Sequence, residues 1–213
     1  MPPARLFFLA LGLLLTACTS SPPPRKGLVD LRRTIPSLVI DLRYATSDNI
    51  THRPLYPADM PCLLRASTAQ KLKKAQSRLR SQGYGLKIWD AWRPTEVHQR
   101  LYSRGARTGL FLDPARGWSR HCGGISVDAT LVDREGRELP MPTRFDEDLS
   151  HTATHRLPVD PTLRRHVTLL HDAMTAAGFK ALPGEWWHFD DLDFLYRPMP
   201  VIKAADLSIT LPK

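Results

Sequence analysis

The chain is short of cysteine, of acidic residues and of long apolar runs. Its 213 residues include three cysteines, at positions 18, 62 and 122, so at most one disulfide can form, and a single apolar core has to carry the fold. Asp and Glu number 21 against 30 Lys and Arg, a formal net charge of +9, or one less once a leader carrying Arg5 is removed. That balance favours an anionic lipid or cell-wall surface as a neighbour. Beyond residue 18 no apolar stretch is long enough to cross a membrane. No internal repeat is present. With 42% apolar and 24% charged residues, the length predicts one ordinary globular domain.

The one apolar run opens the chain. "MPPARLFFLALGLLLTAC" has a cationic start at Arg5 and a hydrophobic stretch too short for a comfortable span, the pattern of a secretory signal. Its end, "LTAC", resembles the lipobox of bacterial lipoproteins. This implies cleavage before Cys18, lipid on its thiol and a tether on the periplasmic side of a membrane, the outer membrane by preference. An ordinary signal peptide cut nearby is the alternative. Export makes nucleic acid a poor fit as partner. "TSSPPPRKG" then reads as an extended spacer, so the expected division is 1–18 signal, 19–27 linker and 28–213 domain. An oxidising compartment would permit a bond between Cys62 and Cys122; two separate buried thiols fit equally well.

Periodicity gives the coarse fold. "LVIDLRYAT" reads as a strand running into a loop. Ala69, Leu72, Ala75 and Leu79 recur at helical spacing between Ser67 and Arg80, and "LKIWDAW" alternates as a strand. Pro94 opens a helix bearing Val97 and Leu101, which puts Arg93 at a strand-to-helix junction. From Ile125 to Leu131 the apolar residues fall on one face, and Ser126, Asp128 and Thr130 on the other, free to line a cleft. Residues 133–160 read as a hairpin and a long surface loop. A second helix follows through Leu163, Val167, Leu170 and Met174, ended by Gly178, and "EWWHF" is the last strand. The order predicts a small α+β domain with a central antiparallel sheet flanked by helices.

Three polar residues stand among apolar ones or glycines: His121 in "SRHCGG", Asp128 and His188. Two imidazoles and a carboxylate make a three-ligand set for catalytic zinc, with a fourth position left for water. Glu185, three places before His188, would be the general base, taking a proton from the attacking water. Residues three apart in a regular strand face opposite sides, so this role demands a bulge or a turn within "EWWH". Arg93 could supply fixed positive charge to a developing oxyanion. Taken singly, each residue also has a purely structural reading: a hydrogen-bonded core histidine, a surface arginine, tryptophans that only pack.

The motifs in sequence are more specific than any one of them. "WDAWRP", "SRHCGGISVD" with the spacing S-x-H-x-x-G-x-x-x-D, "MPTRFDE", "LSHTA" and "GEWWHF", in this order, closely resemble the zinc D-alanyl-D-alanine dipeptidases of the VanX type, within the larger group of zinc D,D-peptidases. The resemblance runs from about Val39 to Asp191. It implies the zinc D,D-peptidase (hedgehog-like) fold, one Zn2+ held by His121, Asp128 and His188, Glu185 as catalytic base, and Arg93 stabilising the tetrahedral intermediate. It also implies that Asp146 faces the substrate's free amino group, that Ser119 bonds its carboxylate and that Tyr44 borders the pocket. Ser126 departs from the alanine usual two places before the metal carboxylate. The segment between Arg104 and Ser119, a candidate roof for the site, looks shorter than in the vancomycin-resistance enzymes, which leaves the tightness of dipeptide selection open.

Three functions compete on this reading. The first is hydrolysis of free D-Ala-D-Ala, for cell-wall peptide turnover or D-alanine salvage. The second is a D,D-carboxypeptidase or endopeptidase on peptidoglycan stem peptides, which the exported leader and the short roof favour. The third is a non-catalytic wall-binding lipoprotein, against which an intact Glu185 argues.

Overall fold

A computed structural model describes residues 26–105, 108–147 and 160–213. The leader, Cys18, the linker up to residue 25 and "LSHTA" lie outside the described residues. β1 (Leu28–Asp30) leads through the single-turn α1 (Leu31–Thr34) to β2 (Val39–Ile40). β3 (Leu63–Arg65) runs directly into α2 (Ala66–Arg80), then β4 (Gly85–Asp90) and α3 (Thr95–Gly105). β5 (Ser126–Val132), α4 (Pro161–Ala176), β6 (Phe179–Leu182) and β7 (Glu185–Asp191) complete the set.

The helices form where the apolar spacing places them. α2 buries Ala69, Leu72, Ala75 and Leu79, and adds Gln76, whose side chain accepts from the Leu86 N–H at 2.8 Å and donates to the Ser37 carbonyl at 2.7 Å. This buried amide fastens α2 to the start of β4 without leaving a polar group unpaired. α4 begins at Asp160, whose carboxylate accepts from the N–H groups of Thr162 and Leu163 at 2.7 and 3.0 Å, with Pro161 in the first turn. It ends before Gly178, whose φ of 95° favours glycine.

The main sheet has the order β2-β4-β5-β7-β6. It is antiparallel from β4 to β6, as expected, but edge strand β2 is parallel to β4. The β2-to-β4 connection contains β3 and α2, a crossover long enough for parallel pairing. β1 and β3 form a separate antiparallel pair. The stretch read as a strand from Leu38 to Thr46 pairs only at Val39 and Ile40, then tightens into a 3₁₀ turn over Arg43–Ala45 that buries Tyr44. β5 is the central strand and is buried on both faces, so Ser126 and Thr130 are as enclosed as Val127 and Ala129. On its polar face Asp128 lines a cleft.

Cys62 and Cys122 are both buried and free, so the disulfide is not formed. Burial pushes both thiols up, which leaves them unreactive packing groups. Among the described residues no helix is long and apolar enough to cross a membrane.

Candidate metal centre

His121 is held by a tight local device. The Ser119 hydroxyl accepts from the His121 N–H at 3.4 Å and caps a 3₁₀ turn over Arg120–Gly123, and Gly124, at φ 68°, turns the chain into β5. A Cβ at Gly124 would lie 2.6 Å from a methyl carbon of Leu28, so packing as well as backbone angle calls for glycine there. Asp128 and His188 then face each other as a cross-strand pair of β5 and β7.

The three side chains converge. His188 Nδ1 is 2.9 Å from Asp128 Oδ1, His121 Nε2 is 3.1 Å from His188 Nδ1, and His121 Nε2 is 3.3 Å from Asp128 Oδ1. Ligands about 2.0–2.1 Å from a tetrahedral zinc stand roughly 3.3 Å apart, so the triangle has the right size. The outer nitrogens point the same way. His121 Nδ1–H donates to the Ala91 carbonyl at 2.7 Å and His188 Nε2–H to Asp190 at 3.0 Å, so neutral rings turn both lone pairs toward Asp128. Three acceptors aimed at one point suit a cation. Burial lowers the His188 imidazole, but Asp128 and Asp190 override it and hold it well above its usual range. Among the described residues this is the one cluster with metal-ligand geometry.

Glu185 and His188 reach the same cleft because β7 is irregular. Ala181 pairs with Phe189, yet the next residue, Leu182, pairs with Glu185, so three residues of β7 have no partner on β6. This bulge brings both side chains to one side, as "EWWH" demanded. The two intervening tryptophans are core. Trp186 stacks edge-on against Trp89 and Trp187 at 5.6 and 5.4 Å, and its Nε1–H donates to Thr143 at 2.9 Å. Phe145 lies against Tyr44, Trp89 and Trp187 at 5.4, 5.4 and 5.8 Å. This aromatic wall fixes the turn that carries Asp146, which takes a positive φ of 57°.

Arg93 is buried and doubly anchored. Its Nε and Nη2 both donate to Asp90 Oδ2 at 2.8 Å, and Tyr56 donates to the other oxygen of Asp90 at 2.7 Å. The guanidinium stands 5.0 Å over the Tyr44 ring and 3.6 Å from Asp128 Oδ2. Asp90 and Tyr56 were not singled out in the sequence, although Asp90 lies within "WDAWRP"; nothing in a linear motif says which carboxylate the arginine meets.

A cleft of about 740 Å³ joins these groups, lined by Tyr44, Arg93, Ser119, Asp146, Glu185 and the three candidate ligands. Residues 109–113, Arg116 and Trp118 line it too, so the segment between Arg104 and Ser119 does border the site. Tyr44 donates to Asp146 Oδ1 at 3.2 Å, while Asp146 Oδ2 is enclosed and has no hydrogen-bond partner among the described residues. Burial, aided by Asp128 and Glu185 against the opposing pull of Arg93, raises the Asp146 carboxyl to about 8. Burial raises Glu185 to about 7.

The chain matches the family described as D-ala-D-ala dipeptidase over residues 24–106 and 113–202. It belongs to that family. The D-alanyl-D-alanine dipeptidase of Escherichia coli (strain K12) is 36% identical over 163 residues, 76% of this chain and 83% of that protein. The protein of the same name from Enterococcus faecium is 30% identical over 173 residues, 70% of this chain and 83% of that protein. A third, from Streptomyces coelicolor, is 31% identical over 175 residues, 70% and 83% of the two chains. D-Ala-D-Ala dipeptidases of this family are zinc enzymes, and the two imidazoles and one carboxylate fit that metal.

Proposed function

We propose that this chain is a zinc metallopeptidase that hydrolyses D-Ala-D-Ala to two D-alanines, in cell-wall peptide turnover or D-alanine salvage. One observation carries the reading: the three converging acceptors share a cleft with a half-buried carboxyl raised to about 7, Glu185, and a buried fixed cation, Arg93. His121, Asp128 and His188 would hold the zinc, which would supply Lewis acidity toward the scissile carbonyl and the attacking water. Glu185 takes the proton from that water and passes it to the leaving amine. Arg93 faces the charge that grows on the carbonyl oxygen, held in place by Asp90. Asp146 receives the substrate's ammonium on its unpartnered Oδ2, which ionises the carboxyl and makes a blocked amine costly, and Tyr44 holds its other oxygen. Ser119, at the cleft and already turned to its own 3₁₀ turn, meets the substrate carboxylate.

The purified, zinc-loaded protein given D-Ala-D-Ala and its N-acetylated form side by side should release D-alanine from the free dipeptide alone. A second reading, a D,D-carboxypeptidase or endopeptidase on stem peptides, draws on the cleft volume, which lies in the range that holds drug-sized ligands. Equal or faster cleavage of the acetylated form would favour it.

The finer fold assignment, the hedgehog-like zinc D,D-peptidase architecture, is supported by a mixed sheet whose central strands present Asp128 and His188. Residues 1–18 as a lipoprotein signal, Cys18 as the lipid-bearing residue and 19–27 as a spacer are supported by the apolar run ending in "LTAC", and the domain boundary by β1 starting at Leu28. In this reading the enzyme is tethered outside the cytoplasm, on the periplasmic face of the outer membrane. A Cys18→Ser variant should then leave the membrane fraction; its retention there would contradict the anchor.

A further inference from the structure

The partner of His188 on the side away from the metal is Asp190, and the Asp190 oxygen that accepts the imidazole proton is itself shared. Ser126 donates its hydroxyl to Asp190 Oδ1 at 2.5 Å, while His188 Nε2–H reaches the same oxygen at 3.0 Å. The other oxygen, Oδ2, lies 3.5 Å from Arg120 Nε. Arg120 is in turn fixed by donating to the carbonyls of Phe194 and Leu195 at 2.9 and 2.8 Å. The register explains the cluster. Asp128 pairs with His188 across β5 and β7, and two residues along the same face Ser126 pairs with Asp190. The ligand pair and its support are consecutive rungs of one ladder.

We infer that Asp190, held by Ser126 and Arg120, is a positioning residue that fixes the His188 ring with Nδ1 toward the metal, and that Ser126 tunes metal affinity through it. The inference rests on the metal reading above. The two imidazoles are supported differently: His121 Nδ1 donates to the Ala91 carbonyl at 2.7 Å, with Asp90 Oδ2 farther off at 3.5 Å, whereas His188 Nε2–H donates directly to a carboxylate. A carboxylate partner makes an imidazole the stronger ligand and locks its tautomer, and losing such a partner typically costs 10- to 100-fold in metal affinity. Ser126, which departs from the expected alanine, is therefore engaged in the centre's support, where an alanine would leave Asp190 Oδ1 with one donor fewer.

The test is zinc affinity of the full chain by competition with a chromophoric chelator, with Co2+ absorption spectra alongside. Asp190→Asn should bind zinc about 10- to 100-fold more weakly and shift the Co2+ bands. Ser126→Ala should lose roughly 2- to 10-fold, since one hydrogen bond to a retained carboxylate is removed. If Asp190→Asn does not fold, the Ser126→Ala loss alone decides the matter. Variants that bind zinc as tightly as the unaltered chain, with unshifted Co2+ bands, would overturn the inference while leaving the metal reading intact. An unaltered chain that binds no zinc would overturn both.

Discussion

Replacing Glu185 with glutamine is expected to lower kcat on D-Ala-D-Ala by about 10²- to 10⁴-fold, the range that a positioned acid or base contributes. Zinc should stay bound, because the side chain lines the cleft without belonging to the ligand set. Glutamine keeps the shape and loses only the ability to accept and return a proton, so KM should change far less than kcat. The pH dependence follows from the environment. Burial raises the carboxyl to about 7 and the Asp128 charge adds to this, while His188, Arg93 and His121 pull it down. A bound dication pulls in the same direction as those cations. As a base Glu185 works ionised, so kcat/KM should rise with pH along an acid limb lying between the ordinary value of 4.5 and about 7. Glu185→Gln should lack that limb. Unchanged kinetics in the variant would remove Glu185 from the reaction and favour the reading of a non-catalytic wall-binding protein.

Arg93→Ala should reduce kcat/KM by about 10²- to 10³-fold, the cost of removing one preorganised donor to an oxyanion. Arg93→Lys should recover little. The guanidinium uses two nitrogens on Asp90 and leans over the Tyr44 ring, a fork and a flat face that an ammonium lacks. Asp90→Asn should mimic part of the loss, and combining it with Arg93→Ala should cost little more than Arg93→Ala alone, since Asp90 acts through the arginine. Steady-state kinetics on the four proteins read the coupling directly. Additive losses would mean that Asp90 has a separate task.

Much of this site was legible because its chemistry is written in residue types that stand out from their surroundings. His121 and Cys122 stand just before two glycines, Asp128 interrupts an apolar alternation, and His188 sits in an aromatic run. The two long helices were legible for a similar reason, a 3.6-residue stripe with a proline or glycine at an end. Pairing was less legible. β2 is two residues long, β6 was not anticipated, and β1 and β3 meet far apart in the chain, so local periodicity says little about them. The proposed roles of Glu185 and His188 require a bulge or turn in "EWWH", yet the register that makes it, Leu182 opposite Glu185 next to Ala181 opposite Phe189, is a tertiary fact. Supporting residues were least legible of all. Asp90, Tyr56 and Asp190 act through others, and a buried carboxylate that orients a neighbour carries no signature of its own in sequence.

The most direct test of the account is D-alanine release from D-Ala-D-Ala by the purified protein, followed before chelation, after chelation and after zinc is restored. The account predicts turnover that disappears with the metal and returns with it, because it gives His121, Asp128 and His188 the task of holding that metal. Turnover that persists at full rate in the verified metal-free protein would contradict it.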